Sequence, residues 1–136
     1  MLKYDEWVDN YFTFVEKSKL QKMNDKITWL EGIACSVTVC NKSGIVQYMN
    51  PKAAETFNKW GGIDLIGKSL FDCHSSSSRQ KILSLMDKGE TNCYTIEKRG
   101  VKKLIFQTPW FNEGVVQGLV EFSFEIPIDM QHFIRE

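Results

Sequence analysis

The sequence predicts an α+β domain with a five-stranded antiparallel sheet, helices on one face of that sheet, and a long helix before it. Three observations support this prediction. No Gly or Pro occurs before Gly32, and apolar residues in that stretch recur every three or four positions, as in a helix. From Cys35 the apolar residues recur every two positions, as in a strand. After Gly89, three more stretches alternate in the same way between short turns.

The composition is that of one globular domain without a strong charge. The chain has 136 residues, of which 43% are hydrophobic and 25% are charged, as is typical of a single folded domain. Seventeen basic residues balance 17 acidic ones, which excludes a broad electrostatic attraction to nucleic acid or to an anionic membrane. No apolar run approaches the roughly 20 residues that span a bilayer. We therefore expect neither a nucleic-acid nor a membrane partner.

The cysteine and histidine residues do not form a metal-binding pattern. The four cysteines include no Cys-x-x-Cys pair, and only two histidines occur. The N-terminal sequence lacks the basic start and the unbroken apolar stretch of a secretory signal. We therefore expect reduced thiols in a cytoplasmic protein, and no metal site.

The segment 1–31 is predicted to be a helix with a broad apolar surface. Its apolar positions shift in phase near Lys19, which indicates a break, a kink or a change of packing partner. A helix this apolar packs either on its own domain or against the same helix of a second subunit, and both arrangements remain open. The candidate residues for a dimer interface are Trp7, Tyr11, Val15, Met23 and Ile27.

A hairpin and a short helix are predicted between residues 35 and 61. The two strands of the hairpin flank the turn sequence NKSG. Asn50 then precedes Pro51, which predicts a helix start, because Asn accepts bonds from free amides and Pro fits the first helical position. This helix is predicted to stop at Gly61.

A longer helix and three strands follow. The helix is predicted from about residue 78 to residue 88, with Ser77 and Gln80 as a capping box and Gly89 at its end. In the last strand, alternate apolar residues that include Phe122 share one face. This pattern predicts a long, half-buried antiparallel strand.

This order of elements, together with several local motifs, resembles the PAS domain, a sensor fold. The resemblance covers about residues 33–127 and includes an Asn-x-x-Ala motif at Asn50 and Ala53. The stretches that carry it are VTVCNKSGIVQYMNPKAAETF, IDLIGKSLFD and GLVEFSFEI. The sequence is also similar to small stand-alone bacterial PAS proteins. The resemblance implies an N-terminal helical segment (1–31), a PAS domain (32–128) and a C-terminal tail (129–136).

The resemblance implies a role in signal transduction rather than an enzymatic activity. PAS domains bind a small ligand or cofactor between the sheet and the helices, or a partner protein on the outer face of the sheet. They often form homodimers through a helix that precedes the domain. Because no kinase, cyclase or DNA-binding segment is recognisable, we expect a homodimer that acts in trans on a signalling partner. The alternative is a ligand-free interaction module with a filled core.

Cys73 and His74 are adjacent, and several chemical roles compete for them. Haem-binding PAS domains carry their His on the longest helix, whereas His74 precedes that helix. The flavin photosensing branch needs an Asn-Cys-Arg-Phe-Leu-Gln motif, which is not matched here, and no orienting group accompanies Cys73 as a nucleophile. The residues favour a core thiol at Cys73 and a pocket-rim imidazole at His74. The cofactor is unknown: none is favoured, and haem or flavin are minority alternatives.

The candidate pocket residues are those expected on the buried faces of the sheet and helices. They are His74, Cys73, Met49, Phe57, Leu70, Gln107 and Phe122. Gln107 or Thr108 on the fourth strand and Ser123 on the fifth are the polar candidates for ligand hydrogen bonds. The sequence does not decide which face of these strands is directed inward.

Overall fold

The computed structural model describes residues 27–72 and 74–136. The chain divides into two units, 1–32 and 33–136. In the first unit, the described residues include a short helix, α1 (Trp29–Gly32). The predicted helix over 1–31 therefore lies almost wholly outside the described residues. Of the candidate interface residues, Trp7, Tyr11, Val15 and Met23 also lie outside them, and Ile27 is 53% exposed.

The second unit contains a five-stranded antiparallel sheet, as the sequence predicts. The strands lie in the order β2-β1-β5-β4-β3, so the first and last strands of the chain are neighbours. The strands and helices are β1 (Ser36–Asn41), β2 (Val46–Met49), α2 (Pro51–Thr56), α3 (Ser76–Lys88), β3 (Asn92–Lys98), β4 (Val101–Asn112) and β5 (Val115–Ile126). Three short 3-10 helices connect α2 to α3, at Asn58–Trp60, Gly62–Leu65 and Leu70–Asp72.

Asn50 joins β1 to the start of α2. Its side chain is fully buried, and its Oδ1 accepts the N–H groups of Val37 (3.0 Å) and Ala53 (2.9 Å). Its Nδ2 donates to the carbonyl of Cys35 (2.8 Å). The contact with Ala53 caps α2 and confirms the predicted helix start. The other two contacts fix the beginning of β1 against the same side chain.

Helix α3 begins two residues earlier than the sequence predicts. Its cap is Ser75 rather than Ser77: the Ser78 N–H donates to Ser75 Oγ (3.3 Å). Four consecutive serines offer equivalent capping side chains, so the local sequence does not choose among them. The helix ends at Gly89, as predicted, where a φ of 67° places the backbone in the left-handed region.

The segment that connects α2 to α3 is attached to the edge strand β2. The Val46 N–H donates to the Lys68 carbonyl (3.0 Å), and the Gly67 N–H donates back to the Val46 carbonyl (2.8 Å). The Leu70 N–H donates to the Gly44 carbonyl (2.8 Å). These bonds pair the exposed edge of the sheet and fix the connecting segment beside it.

The two faces of the sheet differ in what covers them. Helices α2 and α3 pack on one face, which we call the inner face, and the core lies between them and the sheet. One buried cluster consists of Cys40, Ile82, Leu85, Met86 and Leu119, and a second of Val46, Met49 and Ala53. Phe106 and Phe122 lie on the opposite, outer face, where their ring centroids are 6.5 Å apart. Among the described residues, no helix is long and apolar enough to cross a membrane.

Replacing Asn50 by Ala should lower the free energy of unfolding by about 3 kcal/mol or more, because three backbone groups, two of them buried, lose their partner. Denaturant unfolding followed by circular dichroism measures this change. Asn58→Ala, at an exposed position in the first 3-10 helix, is the matched control and should cost less than about 1 kcal/mol. Equal losses for the two variants would show that Asn50 does not hold β1 and α2 together.

Candidate ligand-binding cavity

A cavity of about 260 Å³ lies between the inner face of the sheet and the helices. Most of its wall is apolar. The residues that line it are Thr38, Cys40, Val46, Met49, Phe57, Trp60, Leu65, Lys68, Ser69, Leu70, His74, Ile82, Gln107, Leu119 and Glu121. A cavity with apolar walls and a few converging polar groups is the usual form of a small-molecule site.

A row of four polar residues crosses the floor of the cavity region, one from each of four adjacent strands. Thr38 of β1 pairs with Glu121 of β5, Glu121 pairs with Gln107 of β4, and Gln107 pairs with Asn92 of β3. We call these four residues the polar row. Directly opposed residues on one face of a sheet have Cβ atoms roughly 5 Å apart. The strand register therefore brings four polar side chains into contact distance.

Two hydrogen bonds orient part of the polar row. The Asn92 Nδ2 donates to Gln107 Oε1 (2.9 Å), and the Gln107 Nε2 donates to Glu121 Oε2 (2.8 Å). An ionised carboxylate can only accept, so Glu121 fixes the direction of the whole chain of bonds. At the other end of the row, the buried hydroxyl of Thr38 has no hydrogen-bond partner among the described residues. A buried hydroxyl without a partner is uncommon in a folded protein.

His74 lies at the boundary between this cavity and an adjoining recess of about 410 Å³. Its Nδ1 lies 2.6 Å from the Leu70 carbonyl oxygen. Because a carbonyl oxygen only accepts, Nδ1 carries the proton, and Nε2 is left for another contact. The recess is more polar and includes Lys81, Lys103 and Tyr94 in its lining.

The charge of Glu121 affects two neighbouring groups. Burial raises the pKa of the Cys40 thiol above its ordinary value; a backbone hydrogen bond at Leu119 opposes that increase and the Glu121 carboxylate adds to it. Burial also raises the pKa of the Tyr94 hydroxyl, and Glu121 again adds to the increase. Both groups therefore keep their protons at neutral pH, and Cys40 acts as a small apolar wall residue.

The structure places five of the seven predicted pocket residues around the cavity. Those five are Met49, Phe57, Leu70, His74 and Gln107. Cys73 lies outside the described residues. The placement of Phe122 in the pocket is wrong, because its neighbour Glu121 points into the cavity and successive strand residues point to opposite faces.

Sequence reasoning missed Thr38 and Glu121, and it also missed that the more polar face of β5 is the inner one. No signal within one strand singles them out, because another polar residue flanks each on the same face, Ser36 beside Thr38 and Ser123 beside Glu121. The register between the strands, which aligns these residues, is not readable from one sequence. Among the described residues, no group of three His, Cys, Asp or Glu side chains could hold a metal ion.

Alkylation of native protein by iodoacetamide should modify Cys93 at least about tenfold faster than Cys40, since Cys93 is exposed while Cys40 is buried with a raised pKa. A time course at about pH 8, read by peptide mass spectrometry, measures the two rates. The same reaction in denaturant, where both thiols are accessible, is the control and should bring the rates together. Equal rates in the native protein would contradict the buried position of Cys40.

Comparison with solved structures finds the same fold in several proteins. The PAS domain of an HTR-like protein from Haloarcula marismortui is 14% identical, with a TM-score of 0.58 over 82% of this chain and 98% of that one. The Aer2 receptor from Vibrio cholerae, described as a dual PAS–haem oxygen sensor, is 18% identical, with a TM-score of 0.56 over 71% of this chain and 98% of that one. The VqmA dimer of Vibrio cholerae is 15% identical, with a TM-score of 0.61 over 76% of this chain and 51% of that one.

The sequence of the chain matches one family model. No curated protein matches the chain. The model of the PAS fold family matches residues 30–126, which include all five strands and both helices of the second unit. PAS domains are sensory modules of signalling proteins, and the structural neighbours include the PAS domain of a histidine kinase. The chain belongs to the PAS fold family.

Proposed function

We propose that this chain is a cytoplasmic, non-catalytic sensory module. It binds a small, largely apolar ligand in the cavity on the inner face of the sheet, and it acts as a homodimer on a signalling partner in trans. The observation that carries the proposal is the cavity of about 260 Å³ with the buried, unpartnered hydroxyl of Thr38 in its wall.

A site of this kind costs the folded protein stability. Protein interiors are close-packed, and buried polar groups are almost always hydrogen-bonded. A cavity and an unpartnered hydroxyl both lower stability, and a ligand that fills the cavity and bonds to the hydroxyl recovers that free energy. Loss of stability at a binding site is the usual cost of function.

Structural neighbours support a ligand and a dimer by analogy. VqmA is recorded both as a dimer and bound to DPO, and the Aer2 receptor is a haem oxygen sensor. At 15% and 18% identity, these proteins share the fold with this chain. The ligand of this chain therefore has to be derived from its own cavity.

The second candidate function is a protein-interaction module, favoured by the outer face of the sheet. Large apolar residues of the two longest strands lie there and are only partly buried, including Phe106 of β4 and Phe122 of β5. On this interpretation a partner protein covers the outer face and the cavity takes no ligand. The two candidates make opposite predictions for a variant of Thr38.

Thr38→Val removes the hydroxyl and keeps the shape of the side chain. If the hydroxyl serves a ligand, this variant should keep the free energy of unfolding of the ligand-free protein or raise it by up to about 1 kcal/mol, since a buried unpartnered group is lost. Native mass spectrometry of gently purified wild type should show a complex of two chains, twice 15.8 kDa, with a small adduct that denaturation releases. The adduct should be depleted in Thr38→Val.

Thr108→Val is the matched control, because Thr108 lies on the outer face and its hydroxyl donates to the Pro109 carbonyl (3.2 Å). It should leave the adduct unchanged. Wild type without an adduct, together with a Thr38→Val variant that loses more than about 1 kcal/mol of stability, would favour the interaction module and overturn ligand binding. A single-chain mass would overturn the homodimer.

A further inference from the structure

Two adjacent polar groups of the polar row, one on Glu121 and one on Thr38, form no hydrogen bond with any described residue. Both residues lie in the wall of the cavity. Glu121 Oε2 accepts from Gln107 (2.8 Å), whereas Oε1 accepts no hydrogen bond from any described residue. The neighbouring Thr38 is directly opposite Glu121 in the strand register, yet its hydroxyl forms no bond with it. A carboxylate oxygen and a hydroxyl therefore lie side by side, facing apolar walls.

No cation neutralises Glu121 within the described part of the chain. The ion pair among the described residues joins Lys52 to Glu55 on α2 and does not include Glu121. Lys68 lies in the cavity lining, and Lys103 in that of the adjoining recess, but neither forms an ion pair with Glu121. A partly buried carboxylate in an apolar site is stabilised by hydrogen-bond donors, and an anion beside it is strongly disfavoured.

His74 is another of the polar residues in the cavity wall. His74 donates from Nδ1 to the Leu70 carbonyl (2.6 Å), so Nε2 is the ring nitrogen left for another contact. Glu121 Oε1 is an acceptor, and the Thr38 hydroxyl can adopt either role. A ligand that satisfies this set needs donors at its polar end.

We propose that the cavity selects a small, largely apolar ligand whose polar end carries an N–H or O–H donor bound by the carboxylate of Glu121, with Gln107 and Asn92 as positioning residues for that carboxylate. This inference rests on the proposed function, because it names the chemical class of ligand for the same cavity. It disfavours carboxylates, phosphates and sulfates at the end of the ligand that contacts Glu121.

Indole and benzofuran test the donor requirement, because the two bicyclic rings have nearly the same shape and only indole has an N–H donor. Titration of the full ¹⁵N-labelled chain, followed by NMR, gives both dissociation constants. Wild type should bind indole about tenfold more tightly than benzofuran, since hydrogen bonds to charged groups are stronger than neutral ones. Equal binding of the two probes overturns the inference.

Variants of Glu121 assign the preference to one side chain. Glu121→Leu removes both oxygens, so the ratio of the benzofuran to the indole dissociation constant should fall to about one. The benzofuran constant itself should stay within about twofold of the wild-type value. Glu121→Gln keeps the shape and a neutral acceptor, and it replaces the leucine variant if that variant fails to fold. It should reduce the ratio to about threefold. A tenfold preference that survives in either folded variant overturns the inference.

Two further variants separate positioning from structure. Gln107→Leu leaves the carboxylate in place but removes the donor that orients it, so the indole preference should fall while benzofuran binding is kept. Glu125→Gln is the matched control: it lies four residues from Glu121 on the same strand and outside the cavity lining, and the preference should be unchanged. If the Gln107→Leu variant keeps the full preference for indole, Gln107 does not position the carboxylate.

Failure of the inference can be told apart from failure of the proposed function. If benzofuran and indole both shift the resonances of cavity residues equally, the cavity binds ligands but does not select a donor, and only the inference fails. If neither probe shifts any resonance of the lining residues, the cavity is not a binding site, and both fail.

Discussion

The hydrogen bonds of the Asn50 side chain are the interaction on which the rest of the structure depends. One buried amide group caps α2 through Ala53 and binds the backbone of β1 at Val37 and Cys35. Strand β1 lies between β2 and β5, so its position sets those of both neighbours. Helix α2 and the 3-10 helices after it close the cavity from the side opposite the sheet. Asn50 therefore positions both the sheet and the helices that enclose the cavity.

Given that framework, the strand register decides the chemistry of the cavity. Thr38, Glu121, Gln107 and Asn92 are aligned across four strands, and the two-residue period of a strand directs all four to the inner face. A slip of one residue in β5 would exchange Glu121 for Phe122 and turn a polar floor into an aromatic one. The cavity thus combines apolar walls with a floor that accepts hydrogen bonds. The same register gives the outer face its aromatic pair.

The sequence predicted the elements better than it predicted the site. Periodicity gave the five strands, and Asn50 with Pro51 gave the start of α2, because these signals are local. The run of four serines did not identify Ser75 as the cap, since neighbouring serines are chemically equal. The rule that apolar residues face the core places Phe122 in the pocket, whereas here the inner face of β5 carries Glu121. That choice depends on packing between distant segments, which one sequence does not contain.

The central claim is that ligands bind on the polar inner face of the sheet. Intermolecular nuclear Overhauser effects between bound indole and labelled methyl groups test it most directly. The account predicts contacts from indole to Met49, Ile82 and Leu119, which line the cavity. Contacts to Val37 or Val120 on the outer face instead, or a bound indole near none of these methyl groups, would contradict it.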